Sequence, residues 1–158
     1  MTDIIHIFTL LKEIDRCFAA LNGTPLPFPD NVSDKYQWLH AEAPFSILAH
    51  KAETPPRFIY ANSYALSCFK YTEAEIIGLP SYQSAAEQDR EERERLLQAV
   101  TKNGIAYNYA GPRIDKYGHV FQIYDGIVWQ LVDEAQNSWG QAALFWTDAR
   151  KRPEWYPI

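Results

Sequence analysis

The 158 residues, 47% of them hydrophobic, are enough for one domain with a real core, too few for two comfortable ones and too apolar for wholesale disorder. A formal net charge of −5 without any cluster of Lys and Arg leaves no basic footprint for phosphates, so direct DNA or RNA recognition is not expected.

Residues 3–22 read as an amphipathic helix: Ile4, Ile7, Phe8, Leu11, Ile14, Phe18 and Leu21 recur at spacings of three and four, with Lys12, Glu13, Asp15 and Arg16 on the other side. Asp3 is a candidate N-cap and Asn22-Gly23 a candidate stop. Pro25, Pro27 and Pro29 then enforce an extended connector that sets the helix apart. It either folds back over a sheet or meets its twin in a dimer, with Ile4, Phe8, Leu11 and Phe18 as the interface. A second helix is predicted over 33–41, anchored by Trp38 and Leu39, followed by strands at 45–50 and 57–61. Asn62 is placed to cap a short helix that turns Ala65, Leu66 and Phe69 inward, and a second short helix ends at Gly78. Ser84 with Glu87 reads as a capping box opening the longest internal helix. Its charges pair at i and i+4 (Asp89 with Arg93, Arg90 with Glu94, Glu91 with Arg95), Leu96, Leu97 and Val100 bury its end, and Gly104 stops it.

Three strands follow, at 105–114, 119–132 and 139–147. Asp115-Lys116-Tyr117-Gly118 fits a type I turn plus bulge, pairing Asp115 with His119, Gly111 with Ile123 and Tyr109 with Asp125. That register puts Tyr107, Tyr109, Phe121, Ile123, Asp125, Ile127 and Trp129 on one face, which looks like the core, and Asn108, Gln122 and Gln130 on the other. The element order predicts an α+β fold of five antiparallel strands with helices on one side. The divisions are 1–30 for the helix and connector, 31–150 for the domain and 151–158 for a tail.

The segments PFSILAH, RFIYANSYAL, GLPSYQSAAEQDREERERLLQAV, GIAYNYAGPRI, GHVFQIYDGIVWQLVD and WGQAALF, spanning about residues 36–148, resemble a PAS domain and, more specifically, the MEKHLA family, a PAS-like group. The resemblance implies a PAS-like sheet with helices across one face, and a sensory module for ligand, light or redox signals that controls dimerisation. Such domains occur alone in bacteria and at the end of plant homeodomain–leucine-zipper regulators. No ligand or catalytic residue of the family transfers to this chain, and without a DNA-binding or output segment a direct transcriptional role does not transfer either.

PAS-like domains often hold flavin, haem or small metabolites, and each makes its own demand on the sequence. Light-sensing flavin domains resemble one another in a GRNCRFLQ-type segment whose Cys attacks the ring; PSYQSAAE stands here instead, so a photochemical adduct is not expected. Cys17 and Cys68 are far apart, form no CxxC and read as reduced, core-filling thiols. No His lies between Lys51 and Gly118 to serve as an axial haem ligand. His6, His40, His50 and His119 read as surface or hydrogen-bonded side chains, and their spacing makes no zinc site. No GxSxG or comparable nucleophile pattern occurs, and Ser81, Ser84 and Ser138 fit turns and caps.

The remaining signal is aromatic and polar. Aromatics make up 15% of the chain, including five Trp and ten Tyr, which suits either a self-filled core or a pocket for a flat ligand. Asp125 beside Tyr109 would be costly to bury unless bonded, either internally to Tyr109 or to a ligand; Arg113 could pair with an anionic one or form a surface ion pair.

The function expected is a non-enzymatic sensory or regulatory domain that binds a small organic ligand beneath its sheet and modulates a homodimer. Its ligand-facing set is Tyr107, Tyr109, Phe121, Ile123, Asp125 and Trp129, with no metal and the cofactor left unknown. The alternative is a protein–protein interaction or dimerisation module with a self-filled aromatic core and no ligand. No run approaches the ~20 apolar residues of a membrane span. His6, Lys12, Glu13, Asp15 and Arg16 interrupt any signal-peptide pattern, so a cytoplasmic location without membrane contact is expected.

Overall fold

Five runs of extended chain pair into a single antiparallel sheet: β1 (Ser46–Lys51), β2 (Arg57–Ala61), β3 (Ile105–Ile114), β4 (Val120–Val132) and β5 (Ser138–Trp146), in the order β2-β1-β5-β4-β3. The structure, a computed structural model, describes residues 4–148 and Arg150; of Ile4 and Ile5 only the backbone is described. The predicted Asp3 cap and the 151–158 tail lie outside the described residues. First and last strands are neighbours, Ile47 opposite Leu144 and Ala49 opposite Ala142, so the chain closes on itself through β1 and β5.

The helices are α1 (Ile4–Asn22), α2 (Lys35–Ala41), α3 (Ser63–Phe69), α4 (Glu73–Ile76) and α5 (Arg90–Asn103). The predicted PAS-like arrangement is observed: α3 to α5 cover one face of the sheet. α1 folds back over the other face, and its apolar stripe explains why. Leu11, Ile14, Cys17 and Phe18 are all buried against Ile127, Trp129 and Leu131 of β4 and share one core with Leu26, Leu39, Phe45 and Trp146. Phe18 meets Trp129 edge-on, with ring centroids 4.8 Å apart, and the Trp129 indole donates to the Ile14 carbonyl at 3.1 Å. The helix is therefore not set apart by its proline connector. Asp15, expected on the solvent side, is buried too: it accepts from the Leu26 amide (2.7 Å) and the Tyr36 hydroxyl (2.8 Å) and pairs with Lys35 (2.8 Å), locking helix, connector and α2 together.

Asn62 makes the capping bond expected of it and three more. Its Oδ1 accepts from Ala65 N and Ile47 N at 3.0 Å, while Nδ2 donates to the carbonyls of Leu39 (2.9 Å) and Phe45 (3.0 Å). One side chain joins α2, β1 and α3.

Other expectations need correction. The capping box lies at Thr72–Glu75, at the start of α4, not at Ser84–Glu87. Residues Ser81–Ser84 and Glu87–Asp89 form 3-10 turns, and α5 begins only at Arg90. Of the three charge pairs expected on α5, Glu91–Arg95 forms at 3.1 Å; Arg93 instead turns inward and Arg90 stacks on Tyr82.

The β3–β4 hairpin forms as argued, with Asp115 N donating to His119 O and Gly111 opposite Ile123. Beyond that pair the register slips, and Tyr109 faces Gly126 instead of Asp125. The causes are bulges at Asn108 and Asp125, both in the left-handed region at φ +55°. A single-residue slip sends every later side chain to the opposite face. Ile123 and Val128 consequently share the α5 side, while Ile127 and Trp129 go to α1.

Candidate functional site

Between the sheet and α3–α5 lies a cavity of about 70 Å³. Its apolar walls include Leu48, Phe58, Phe69, Leu97, Ile123 and Val128, and its polar rim is built from His50, Ser84, Arg93, Tyr109, Arg113 and Gln141. The strand period explains much of this set: Leu48 and His50 of β1, and Gln141, Ala143 and Phe145 of β5, alternate with the residues that face α1.

A directional hydrogen-bond chain crosses the rim. Arg93 Nη2 donates to Ser81 Oγ at 2.8 Å, and Ser81 Oγ lies 2.8 Å from His50 Nδ1. His50 Nε2 lies 3.2 Å from Gln141 Oε1, and the Gln141 amide donates to Leu97 O and Thr101 Oγ1. Since Gln141 Oε1 can only accept, the proton of neutral His50 sits on Nε2, and Nδ1 accepts from Ser81. Burial, then the neighbouring Arg93 charge, push the His50 pKa down to about 4, so the ring is uncharged at neutral pH. Both ring nitrogens are occupied, leaving none for an axial metal ligand. Among the described residues no group of three or more His, Cys, Asp or Glu could hold a metal ion.

Arg93 and Arg113 are each only 7% exposed. Burial, then the Arg113 charge, lower the Arg93 pKa to about 10, which still leaves it cationic. Arg113 donates Nη2 to the Tyr109 hydroxyl at 2.9 Å and Nη1 to Pro112 O at 2.6 Å, with its guanidinium 5.2 Å from the Tyr109 ring centroid. Two glycines make room for that ring. A Cβ on Gly111 would stand 2.8 Å from the Tyr109 hydroxyl oxygen, and one on Gly126 would stand 3.0 Å from the Tyr109 carbonyl oxygen.

The structure divides the expected ligand-facing residues. Tyr109 and Ile123 line the cavity. Phe121 packs on Phe69 at 5.0 Å beside it. Tyr107 is 45% exposed and donates to Asn22 Oδ1 at 2.7 Å, on the α1 side. Trp129 is fully buried under α1, Asp125 sits at the bulge, and the Tyr109 hydroxyl accepts from Arg113. Of the expected dimer contacts, Leu11 and Phe18 are consumed by the chain's own sheet and Phe8 is half-buried beside His40; the Ile4 side chain is outside the described residues. The site residues absent from the expected set are His50, Ser81, Arg93 and Gln141. The inward parity of His50 and Gln141 on adjacent strands is a signal the sequence carries; for Arg93 the signal is its spacing of three, four and seven from Leu96, Leu97 and Val100, which puts it on the buried face of α5.

The sequence model of the MEKHLA domain family matches residues 9–148. The chain belongs to the MEKHLA domain family. No curated protein matches it in sequence. Among solved structures, the PAS domain of a protein from Colwellia psychrerythraea aligns at a TM-score of 0.61 with 16% identity, covering 69% of this chain and 90% of that one. The LOV protein of Rhodobacter sphaeroides aligns at 0.58 with 10% identity over 90% of this chain and 69% of its own. The LOV domain of a blue-light activated histidine kinase from Erythrobacter litoralis EL346 aligns at 0.55 with 17% identity over 66% and 95%. These likenesses establish the PAS-type fold of this MEKHLA domain.

A flavin of the light-sensing kind does not fit. Among the described residues no cysteine lines the cavity; Cys68 is on α3, outside the lining, with burial raising its thiol pKa to about 11. A space of about 70 Å³ is also far below the roughly 300–1,000 Å³ of a drug-sized ligand pocket.

Proposed function

We propose that this MEKHLA domain is a non-enzymatic sensory or regulatory module that takes a small organic molecule between its sheet and α3–α5. The observation that carries this reading is the cavity itself: apolar walls with a few convergent polar groups, the usual composition of a binding site. Occupancy would be transmitted through the sheet, because β4 and β5 present alternate residues to the cavity and to α1. Modulation of a homodimer remains part of this proposal, but pairing through Leu11 and Phe18 would require the protomer to release its own core.

The cavity's small volume favours a second reading, an interaction module whose interior is filled by Phe58, Phe69, Phe121 and Phe145. Native mass spectrometry of freshly purified protein, with its absorption spectrum, separates the two. A co-purifying small molecule supports the sensory module. A uniformly ligand-free mass, together with no saturable binding from a panel of small metabolites, supports the self-filled one. Sedimentation of the full chain tests the homodimer.

A further inference from the structure

We propose that the cavity is a receptor for a short-chain carboxylate, held at its anionic end by Arg93 and Arg113 and at its hydrocarbon end by Leu48, Leu97 and Ile123. This deepens the proposed function and rests on it.

Both guanidiniums reach the same cavity and both are nearly buried, in a protein whose net charge is −5. A buried cation is normally paired with an anion or it carries a large desolvation cost. Neither arginine has a carboxylate within salt-bridge distance among the described residues, whereas half-exposed Arg16 does, in Glu13. Two like charges brought together in this way repel, and an anion between them removes both penalties.

The donors are also underused. Each guanidinium offers five N–H groups; among the described residues Arg93 makes one hydrogen bond, to Ser81, and Arg113 makes two, to Pro112 and Tyr109. The Tyr109 hydroxyl accepts from Arg113, which leaves its own proton for an acceptor. A carboxylate has two oxygens that accept from planar N–H forks, a geometry that matches arginine.

Size and lining set the rest of the ligand. A dry engineered cavity of about 150 Å³ takes benzene, so a space of about 70 Å³ suits a body of a few carbons. The apolar walls select against a fully hydrated ion such as phosphate. Glu92, exposed, sets a limit at the rim: its Oε1 stands 3.6 Å from the place a Gly111 Cβ would occupy, beside the Tyr109 hydroxyl, and disfavours a second negative charge on the ligand there.

The test is calorimetric titration of the full chain with butyrate, butyramide and inorganic phosphate, repeated on Arg113→Gln and Arg93→Lys. Arg93→Lys, which keeps the charge near Ser81 but not the planar fork, is expected to weaken butyrate while leaving butyramide unchanged. Butyrate is expected to bind at least tenfold more tightly than its neutral isostere and than phosphate. Arg113→Gln is expected to weaken butyrate at least tenfold while leaving butyramide unchanged. Amide shifts at Ile123 and Gly126 on butyrate addition locate the site. Equal binding of acid and amide, or butyrate binding indifferent to Arg113→Gln, overturns the carboxylate assignment and leaves the small-molecule pocket standing. Tighter binding of phosphate than of butyrate overturns the assignment as well. Absence of saturable binding by all three overturns it too; a ligand-free native mass together with no binding from the wider metabolite panel removes the pocket reading itself.

Discussion

Replacing Asn62 should cost far more than the loss of a helix cap. Four hydrogen bonds of 2.9–3.0 Å leave its fully buried side chain for α2, β1 and α3. Asn62→Ala removes the cap, worth about 1 kcal/mol, and strands the Ile47 amide and the Leu39 and Phe45 carbonyls. At the low end of about 1 kcal/mol for each buried group left without a partner, the total reaches roughly 3–4 kcal/mol. That is a large share of the roughly 5–15 kcal/mol that stabilises a domain. Asn62→Asp separates the two halves of the side chain. It keeps the acceptor that serves Ala65 and Ile47, but it replaces the Nδ2 donor with an anionic oxygen facing two carbonyls. At neutral pH it should therefore be at least as damaging as alanine, although aspartate is as good an N-cap as asparagine. Urea unfolding followed by tryptophan fluorescence gives both values by linear extrapolation. An Asn62→Asp protein as stable as the parent, or an Asn62→Ala protein within about 1 kcal/mol of it, would refute the assignment of three joined elements to one amide.

Further outcomes follow from the same contacts. The folded-state His50 pKa of about 4 lies below the ordinary 6.5, so its contribution is complete above pH 6.5 and is lost as pH falls toward 4. The loss is about 3 kcal/mol over that window, and the slope should be smaller in His50→Gln; His40, also lowered by burial, acts alike in both proteins and cancels. Phe18→Ala should destabilise the protein by about 3–5 kcal/mol, and deleting residues 1–30 should give aggregation instead of a well-behaved monomer; a soluble, cooperatively unfolding product would contradict the packing of α1. With its pKa near 11, Cys68 should present about one thiolate in a thousand at pH 8, so the folded protein should react with alkylating reagents far more slowly than the unfolded one. Gly111→Ala should cost about 1–3 kcal/mol and move the Tyr109 ring resonances, because the added methyl meets the hydroxyl at 2.8 Å; unchanged Tyr109 shifts would show that the ring is not held there.

How much of this is legible in the sequence can be traced to particular residues. The strand limits of β2 and β3 follow from prolines, glycines and apolar runs, and the Asp115–Gly118 turn sets the near end of the hairpin correctly as far as Gly111 and Ile123. Local chemistry decides such features, so local sequence reveals them. The two bulges are not legible, because Asn108 and Asp125 adopt positive φ where neither glycine nor a turn motif announces it. With that parity lost, simple alternation puts Trp129 on the wrong side of the sheet and Tyr107 in the interior. The burial of Asp15 is half legible: four residues after Leu11 and three before Phe18, it falls on the apolar stripe by helical periodicity, and only its charge argues for the other side; its partners Leu26 and Tyr36 come from segments that only the fold brings near.

The candidate site shows the same division more sharply. Its β1 and β5 members, Leu48, His50 and Gln141 among them, follow from strand alternation, whereas Ile123 and Val128 depend on the unannounced bulge and Arg93 on the packing of α5. Glu91, Glu92, Glu94 and Arg95, the neighbours of Arg93 on α5, are all exposed. Arg93 differs because it shares the face of Leu96, Leu97 and Val100, and the Ser81 hydroxyl, set by a 3-10 turn twelve residues earlier, accepts from it there. That turn and a second at Glu87–Asp89 precede α5, which starts at Arg90 and not at Ser84. The connection also runs in the useful direction: changing Ser81 should alter His50 and Arg93 together, since both hydrogen-bond to its single oxygen.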